Sequence, residues 1–122
     1  MLESRSQELV NAEQLNNEGE VDEALKIIIH LEKEGDLTTE DNLECQILKG
    51  ILYFRLEQYE EAFSIAEQVF QESQRIENTL LSIDSLILQC FTFFKSDPLF
   101  PIEKPETEIF FKRLIYTNSN FN

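Results

Sequence analysis

Residues 58–70 read QYEEAFSIAEQVF, and residues 20–32 read EVDEALKIIIHLE. Both stretches set an apolar residue before two acids, then Ala, then a second apolar residue: Tyr59-Glu60-Glu61-Ala62-Phe63 and Val21-Asp22-Glu23-Ala24-Leu25. Ala24 and Ala62 lie 38 positions apart. The same shift pairs Leu9 with Ile47, Ala12 with Gly50, Leu15 with Tyr53, Ile27 with Ile65 and Leu31 with Val69. The small–small pair at Ala12 and Gly50 carries the most information, because amphipathic helices in general need no small residue there. Two helical hairpins with one internal spacing are the mark of a repeat architecture, in which each unit buries its apolar face against the next.

The helices themselves are read from apolar spacings of three and four. Leu9, Ala12 and Leu15 give the first, which is expected to end near Asn16 to Gly19, where Asn and Gly tolerate a left-handed cap. The second starts near Glu20 and carries Val21, Ala24, Leu25, Ile28 and Leu31 inward. Ile27 and Ile29 widen that stripe, predicting cover on more than one side. Gly35 is the expected stop. Thr38 then predicts an N-cap, with Asp41 three residues on, near the free N–H groups. The third helix is expected over 39–56, with Leu43, Ile47, Gly50, Ile51, Tyr53 and Phe54 as its apolar side. A mid-helix glycine costs about 1 kcal/mol against Ala, so Gly50 predicts close approach of another helix. The fourth helix covers 58–73, with Tyr59, Ala62, Phe63, Ala66, Val69 and Phe70 inward. The fifth covers 76–95, with Leu80, Ile83, Leu86, Ile87, Cys90, Phe91 and Phe94 as its apolar positions. Pro98, Pro101 and Pro105 break any continuation, and ETEIFFKRLIY over 106–116 predicts a short amphipathic helix opening after Pro105.

Gly50-x-x-Tyr53 followed by Tyr59-Glu60-Glu61-Ala62 resembles the tetratricopeptide repeat, in which a small residue and a Tyr on helix A pack against an early Ala of helix B. Ala12, Leu15, Gly19, Val21 and Ala24 give the first copy. The resemblance covers residues 5–73, as repeat one over 5–34 and repeat two over 39–73. The fifth helix then acts as a cap, and residues 97–122 form a Pro-containing segment with a short helix packing on or extending the domain. The chain departs from the family in its period of 38 rather than 34, in Glu57 at the second turn glycine, in lacking Trp early in helix A, and in lacking Pro after helix B. A shift of 40 extends the pattern to the fifth helix, pairing Ile47 with Ile87, Gly50 with Cys90 and Tyr53 with Phe93. The resemblance implies an all-α, right-handed superhelix of antiparallel hairpins and a non-catalytic role in protein–protein interaction.

Composition limits the alternatives. The chain has 122 residues, 42% of them hydrophobic, which is one domain's length with enough apolar residues for a core. Its net charge of −14, from 24 acids and 10 Lys or Arg, argues against a nucleic-acid or membrane partner, both of which require basic faces. The polar opening MLESRSQELV has no apolar core of a signal peptide, and the chain is read as cytoplasmic. The apolar run Leu80 to Phe94 is interrupted by Asp84 and is too short for a membrane span, which needs about 20 residues. Cys45 and Cys90, without Cys-x-x-Cys spacing, read as reduced core residues.

Chemistry has little to build on. His30 is the only histidine, so neither a His-based metal site nor a His-activated nucleophile is expected, and a solvent-facing position is the simpler reading. Glu60-Glu61 and Glu40-Asp41 are adjacent on helices and diverge, reading as solvated faces. DLTTEDNLE lacks the central Gly and alternating ligands of a calcium loop. No enzyme activity and no cofactor are expected. The candidate partner groove is the helix-A face of repeat two, with Leu48, Ile51, Phe54 and Arg55. The alternative for these residues is ordinary packing against the fifth helix. The basic carboxylate clamp of the resembled family is not made by Lys49 and Arg55 alone. A second candidate surface joins Phe91 and Phe94 to Phe110 and Phe111. It is covered by the tail, by a second copy in a homodimer, or by a neighbouring subunit. Self-association through this surface is the alternative function.

Overall fold

A computed structural model of the chain describes residues 7–96, the side chain of Ser96 excepted. These residues form five α-helices: α1 (Gln7–Asn17), α2 (Val21–Glu34), α3 (Thr39–Arg55), α4 (Tyr59–Arg75) and α5 (Thr79–Ser96). The expected helix over 106–116 lies outside the described residues. Each observed helix lies within three residues of its expected ends.

The turns between helices explain the stops. At the end of α1, Glu20 N–H bonds Leu15 C=O at 2.8 Å and Gly19 N–H bonds Asn16 C=O at 3.1 Å. At the end of α3, Gln58 N–H bonds Tyr53 C=O and Glu57 N–H bonds Phe54 C=O, both at 2.9 Å. The two bond pairs are the same left-handed helix stop, 38 residues apart, and each returns the chain for an antiparallel hairpin. The pivot residue needs positive φ: 86° at Gly19 and 64° at Glu57. Glu57 therefore occupies a conformation that costs an L-residue roughly 1–2 kcal/mol. The α4–α5 turn repeats the pattern, with Glu77 at φ 57°.

Helix starts also recur. Thr38 Oγ1 accepts from Asp41 N–H at 3.1 Å at the head of α3. Asn78 Oδ1 accepts from Leu81 N–H at 3.0 Å at the head of α5. These caps are 40 residues apart, so α5 opens as α3 does. The Asn78 amide also donates to Glu40 Oε2 at 3.0 Å, holding the two helix heads side by side.

The core is one continuous cluster. Leu9 and Ala12 of α1 meet Ala24, Ile28 and Leu31 of α2. Leu43, Ile47, Ile51 and Leu52 of α3 join these to Ala62, Ala66 and Val69 of α4. Gly50 sits where three helices converge. A Cβ placed there would lie 2.9 Å from Leu88 Cδ2, 3.4 Å from Ile65 Cγ2 and 3.7 Å from Ala62 O. The expected close approach is therefore made by both α4 and α5. Of the two residues expected to widen the covered stripe of α2, Ile27 is half-buried against the core and Ile29 is exposed.

Gly50→Ala is expected to stay within about 1 kcal/mol of wild type in urea unfolding, because the gain in helix propensity offsets a shift of the flexible Leu88 end. Gly50→Leu is expected to lose about 1–3 kcal/mol, since a branched side chain must displace Ile65 and the α4 backbone as well.

Candidate functional site

The expected groove residues are taken up by the chain's own packing. Leu48, Ile51 and Phe54 are only 2%, 1% and 4% exposed. Phe54 packs edge-on against Tyr59 of α4, with centroids 5.2 Å apart, and against Phe91 of α5, at 6.4 Å. Of the two readings offered by the sequence, packing against the fifth helix is the one observed. Arg55 is also engaged within the chain: its Nη1 donates to Asn16 O at 2.8 Å and to Asn16 Oδ1 at 2.9 Å. It thereby satisfies a carbonyl in the last turn of α1 and ties the first hairpin to the second.

The other candidate surface divides. Phe91 is half-buried and points toward Phe54, whereas Phe94 lies on the outer side of α5, edge-on to Phe93 at 5.8 Å. Phe110 and Phe111 lie outside the described residues.

α5 divides its apolar residues between a buried and an exposed side. Its inward row contains Leu81, Ser82, Asp84, Ser85, Leu88 and Thr92. Its outward row contains Ile83, Leu86, Cys90, Phe93 and Phe94. Exposure reaches 47% at Ile83, 44% at Leu86, 54% at Phe93 and 37% at Phe94, so this is a contiguous apolar strip on the surface. Of the seven apolar positions named from the sequence, Leu80, Ile87 and Phe91 are half-buried and Ile83, Leu86, Cys90 and Phe94 are exposed. Cys90 is accordingly an exposed thiol, not a core residue.

Hydrogen bonds make this orientation possible. Ser73 donates to Phe70 O at 2.9 Å, so the 2.7 Å contact between Ser73 Oγ and Ser82 Oγ is donated by Ser82. Ser82 Oγ accepts in turn from Gln74 at 3.2 Å. Ser85 and Thr92 satisfy their hydroxyls on carbonyls three residues back, at 2.9 and 2.8 Å, and Gln89 reaches Ala66 O at 3.4 Å. A buried hydroxyl is tolerated only when bonded, and here each is. Their sequence signal is Ser82, Ser85, Gln89 and Thr92 at spacings of three, four and three. That is a polar stripe on one helical face, in a helix otherwise rich in apolar residues.

A groove of about 320 Å³ continues the strip between α4 and α5. Tyr59, Phe63 and Phe93 wall it, and Glu60 and Glu67 stand at its edge. The acid pairs do not converge into a site. Glu60 and Glu61 are both exposed on α4, whereas of Glu40 and Asp41, read as solvated, only Glu40 is exposed and Asp41 is buried. His30 is exposed, 3.8 Å from Glu8 and 3.7 Å from Glu34. Among the described residues no group of His, Cys, Asp or Glu could hold a metal ion, and no helix is long and apolar enough to cross a membrane. Comparison with protein-family models, curated proteins and solved structures gives no match.

The second thiol contrasts with Cys90. Cys45 is buried in α3, and its pKa is pushed from 9.0 to about 12, first by desolvation and then by the Glu32 carboxylate. Below pH 9 both folded and unfolded chains keep this proton. Above it only the unfolded chain ionises, so stability falls as pH rises from 9.0 toward about 12. Unfolding of Cys45→Ala measured over that range is expected to show a shallower alkaline loss than wild type. Phe54→Ala is expected to lower stability by about 3–5 kcal/mol, as befits a core residue rather than a binding residue.

Proposed function

We propose that the chain is a non-catalytic protein–protein interaction module, a scaffold or adaptor whose docking surface is the outer face of α5. The observation that supports this most directly is the exposed row of Ile83, Leu86, Cys90, Phe93 and Phe94. Contiguous apolar surface on a protein that otherwise covers its core marks interaction sites. Spacings of three, four and three along Ile83, Leu86, Cys90 and Phe93 suit a helix laid along the face, as in other helix-in-groove recognition. In this reading the two hairpins and α5 stack as a tetratricopeptide-like right-handed array. The matched turns 38 residues apart, the matched caps 40 apart and the Ala12/Gly50 small positions favour that arrangement. The partner is a protein, not a nucleic acid or a membrane, in keeping with a net charge of −14. Neither a cofactor nor catalysis is part of the proposal.

Self-association is the second reading, because a row with near-heptad spacing is self-complementary when two copies pack α5 against α5. Light scattering on a size-exclusion column separates the two. A mass that doubles with micromolar concentration supports self-association, and a constant monomer mass supports a different partner. Affinity capture from the native host is expected to enrich a protein with the full-length chain and to lose it with Leu86→Asp/Phe93→Asp. Equal enrichment by the variant and wild type would exclude α5 as the docking face.

A further inference from the structure

We infer that the groove between α4 and α5 is a receptor for an arginine side chain, presented by the protein that docks beside it. The inference deepens the docking reading and rests on it for the nature of the partner, since Phe93 belongs both to the groove and to the outer face of α5.

The walls supply half of the chemistry. The groove holds about 320 Å³. That is the lower end of the roughly 300–1,000 Å³ typical of ligand pockets, and it suits one side chain rather than a helix. Tyr59 and Phe63 of α4 line it together with Phe93 of α5. Aromatic walls give an aliphatic stem an apolar channel and offer a cation at its end their negative π faces. Arginine gains more there than lysine, because its planar guanidinium stacks on rings and is more weakly hydrated. Phe63 is half-buried and makes no ring contact with another described residue, so no described ring competes for its face.

The edge supplies the other half. Glu60 and Glu67 are exposed on α4, with Phe63 between them at spacings of three and four. Residues so spaced are neighbours on a helix surface, about 5–6 Å apart between Cβ atoms, so a cation over Phe63 has a carboxylate on each side. Among the described residues neither acid meets a cation of the chain, whereas Glu23, Glu32 and Glu72 pair with Lys26, Lys49 and Arg75. The positive end of the α4 dipole offsets part of the charge of Glu60, but Glu67 lies beyond its first-turn reach. The Tyr59 phenol is pushed above its ordinary value, first by burial and then by the Glu57 carboxylate, so a third acid acts on the groove wall. Charge thus decides the occupant. A neutral apolar side chain gains the walls alone, and an acidic one is repelled by Glu60, Glu67 and a net charge of −14. A basic side chain uses walls and edge together.

The test follows backbone amide shifts by NMR while the isotope-labelled full chain is titrated with Nα-acetyl-arginine amide. The lysine compound and the uncharged citrulline isostere serve as comparisons. The arginine compound is expected to shift amides around Phe63, Glu67 and Phe93 saturably, and to bind more tightly than the lysine compound and at least about fivefold more tightly than citrulline. Glu60→Gln/Glu67→Gln keeps side-chain size and removes both charges, and is expected to weaken arginine binding about fivefold. Phe63→Leu keeps an apolar wall and removes the π face, for an expected loss of about threefold. Shifts elsewhere in the spectrum check that each variant keeps the fold. The inference is overturned by the absence of localised shifts, by arginine binding no tighter than citrulline or lysine, or by binding unchanged in either variant. No partner takes part in the titration. It can therefore fail while capture through the α5 face succeeds, and succeed while capture with Leu86→Asp/Phe93→Asp equals wild type.

Discussion

The arrangement turns on the space above Gly50. With Leu88 and Ile65 at van der Waals limits over a missing side chain, α3, α4 and α5 approach more closely than larger residues would permit. Ala62 and Ala66 on α4 serve the same approach from the other side, and both are fully buried. Once Leu88 is committed to this junction, the rotation of α5 about its own axis is nearly fixed. Ser82 must then face Ser73, Gln89 must face the Ala66 carbonyl, and Ile83, Leu86 and Cys90 must face away. Turning α5 to bury its larger residues would break these bonds and strand buried hydroxyls, at about 1–3 kcal/mol for each group left unsatisfied.

Links between successive hairpins add specific polar bonds to the apolar core that runs through all five helices. Arg55 reaches back to Asn16, Lys49 and Gln46 converge on Glu32, and Asn78 reaches Glu40. Lys49 and Glu32 are both mostly buried, at 3.0 Å, and Lys49 also lies over the Tyr53 ring. Such a pair fixes register more than an exposed one such as Lys26–Glu23, where water competes for both charges. In a repeat chain, stability is distributed among unit and interface terms. These bridges define the interfaces for α1–α2 against α3–α4 and for α3 against α5.

Local chemistry made the helices legible in the sequence. The Thr38 cap, the Gly35 stop and the positive-φ pivot at Gly19 act over a few residues, and each was readable from residue type and spacing. Gly50 was readable as a close approach because nothing else justifies glycine in mid-helix. The orientation of α5 was not legible from apolar periodicity. From Leu80 to Phe94 apolar residues occupy nearly every direction around the axis, so the stripe has no unique side. The deciding residues were the small polar ones, whose burial depends on Ser73 and the Ala66 carbonyl, partners that only the tertiary structure brings near. The candidate groove had the same difficulty in reverse. Ile51 and Phe54 are buried, but so are their polar counterparts Glu13 and Asn16, so polarity at these positions did not report cover, and the sequence left both packing and binding open.

The strip on α5 joins two properties that usually conflict. An exposed apolar row invites nonspecific association, yet it belongs to a chain whose net charge is −14. Like charge opposes the approach of identical chains over about a Debye length, roughly 8–10 Å at physiological salt, whereas apolar attraction acts only at contact. A partner carrying its own cations meets no such barrier and gains the full apolar contact once seated. In the proposed docking role the two effects act in sequence, with charge selecting what approaches and the row from Ile83 to Phe94 deciding what stays. The proposed role asks for no polar recognition code along α5, whose described charged side chains are the buried Asp84 and the terminal Lys95.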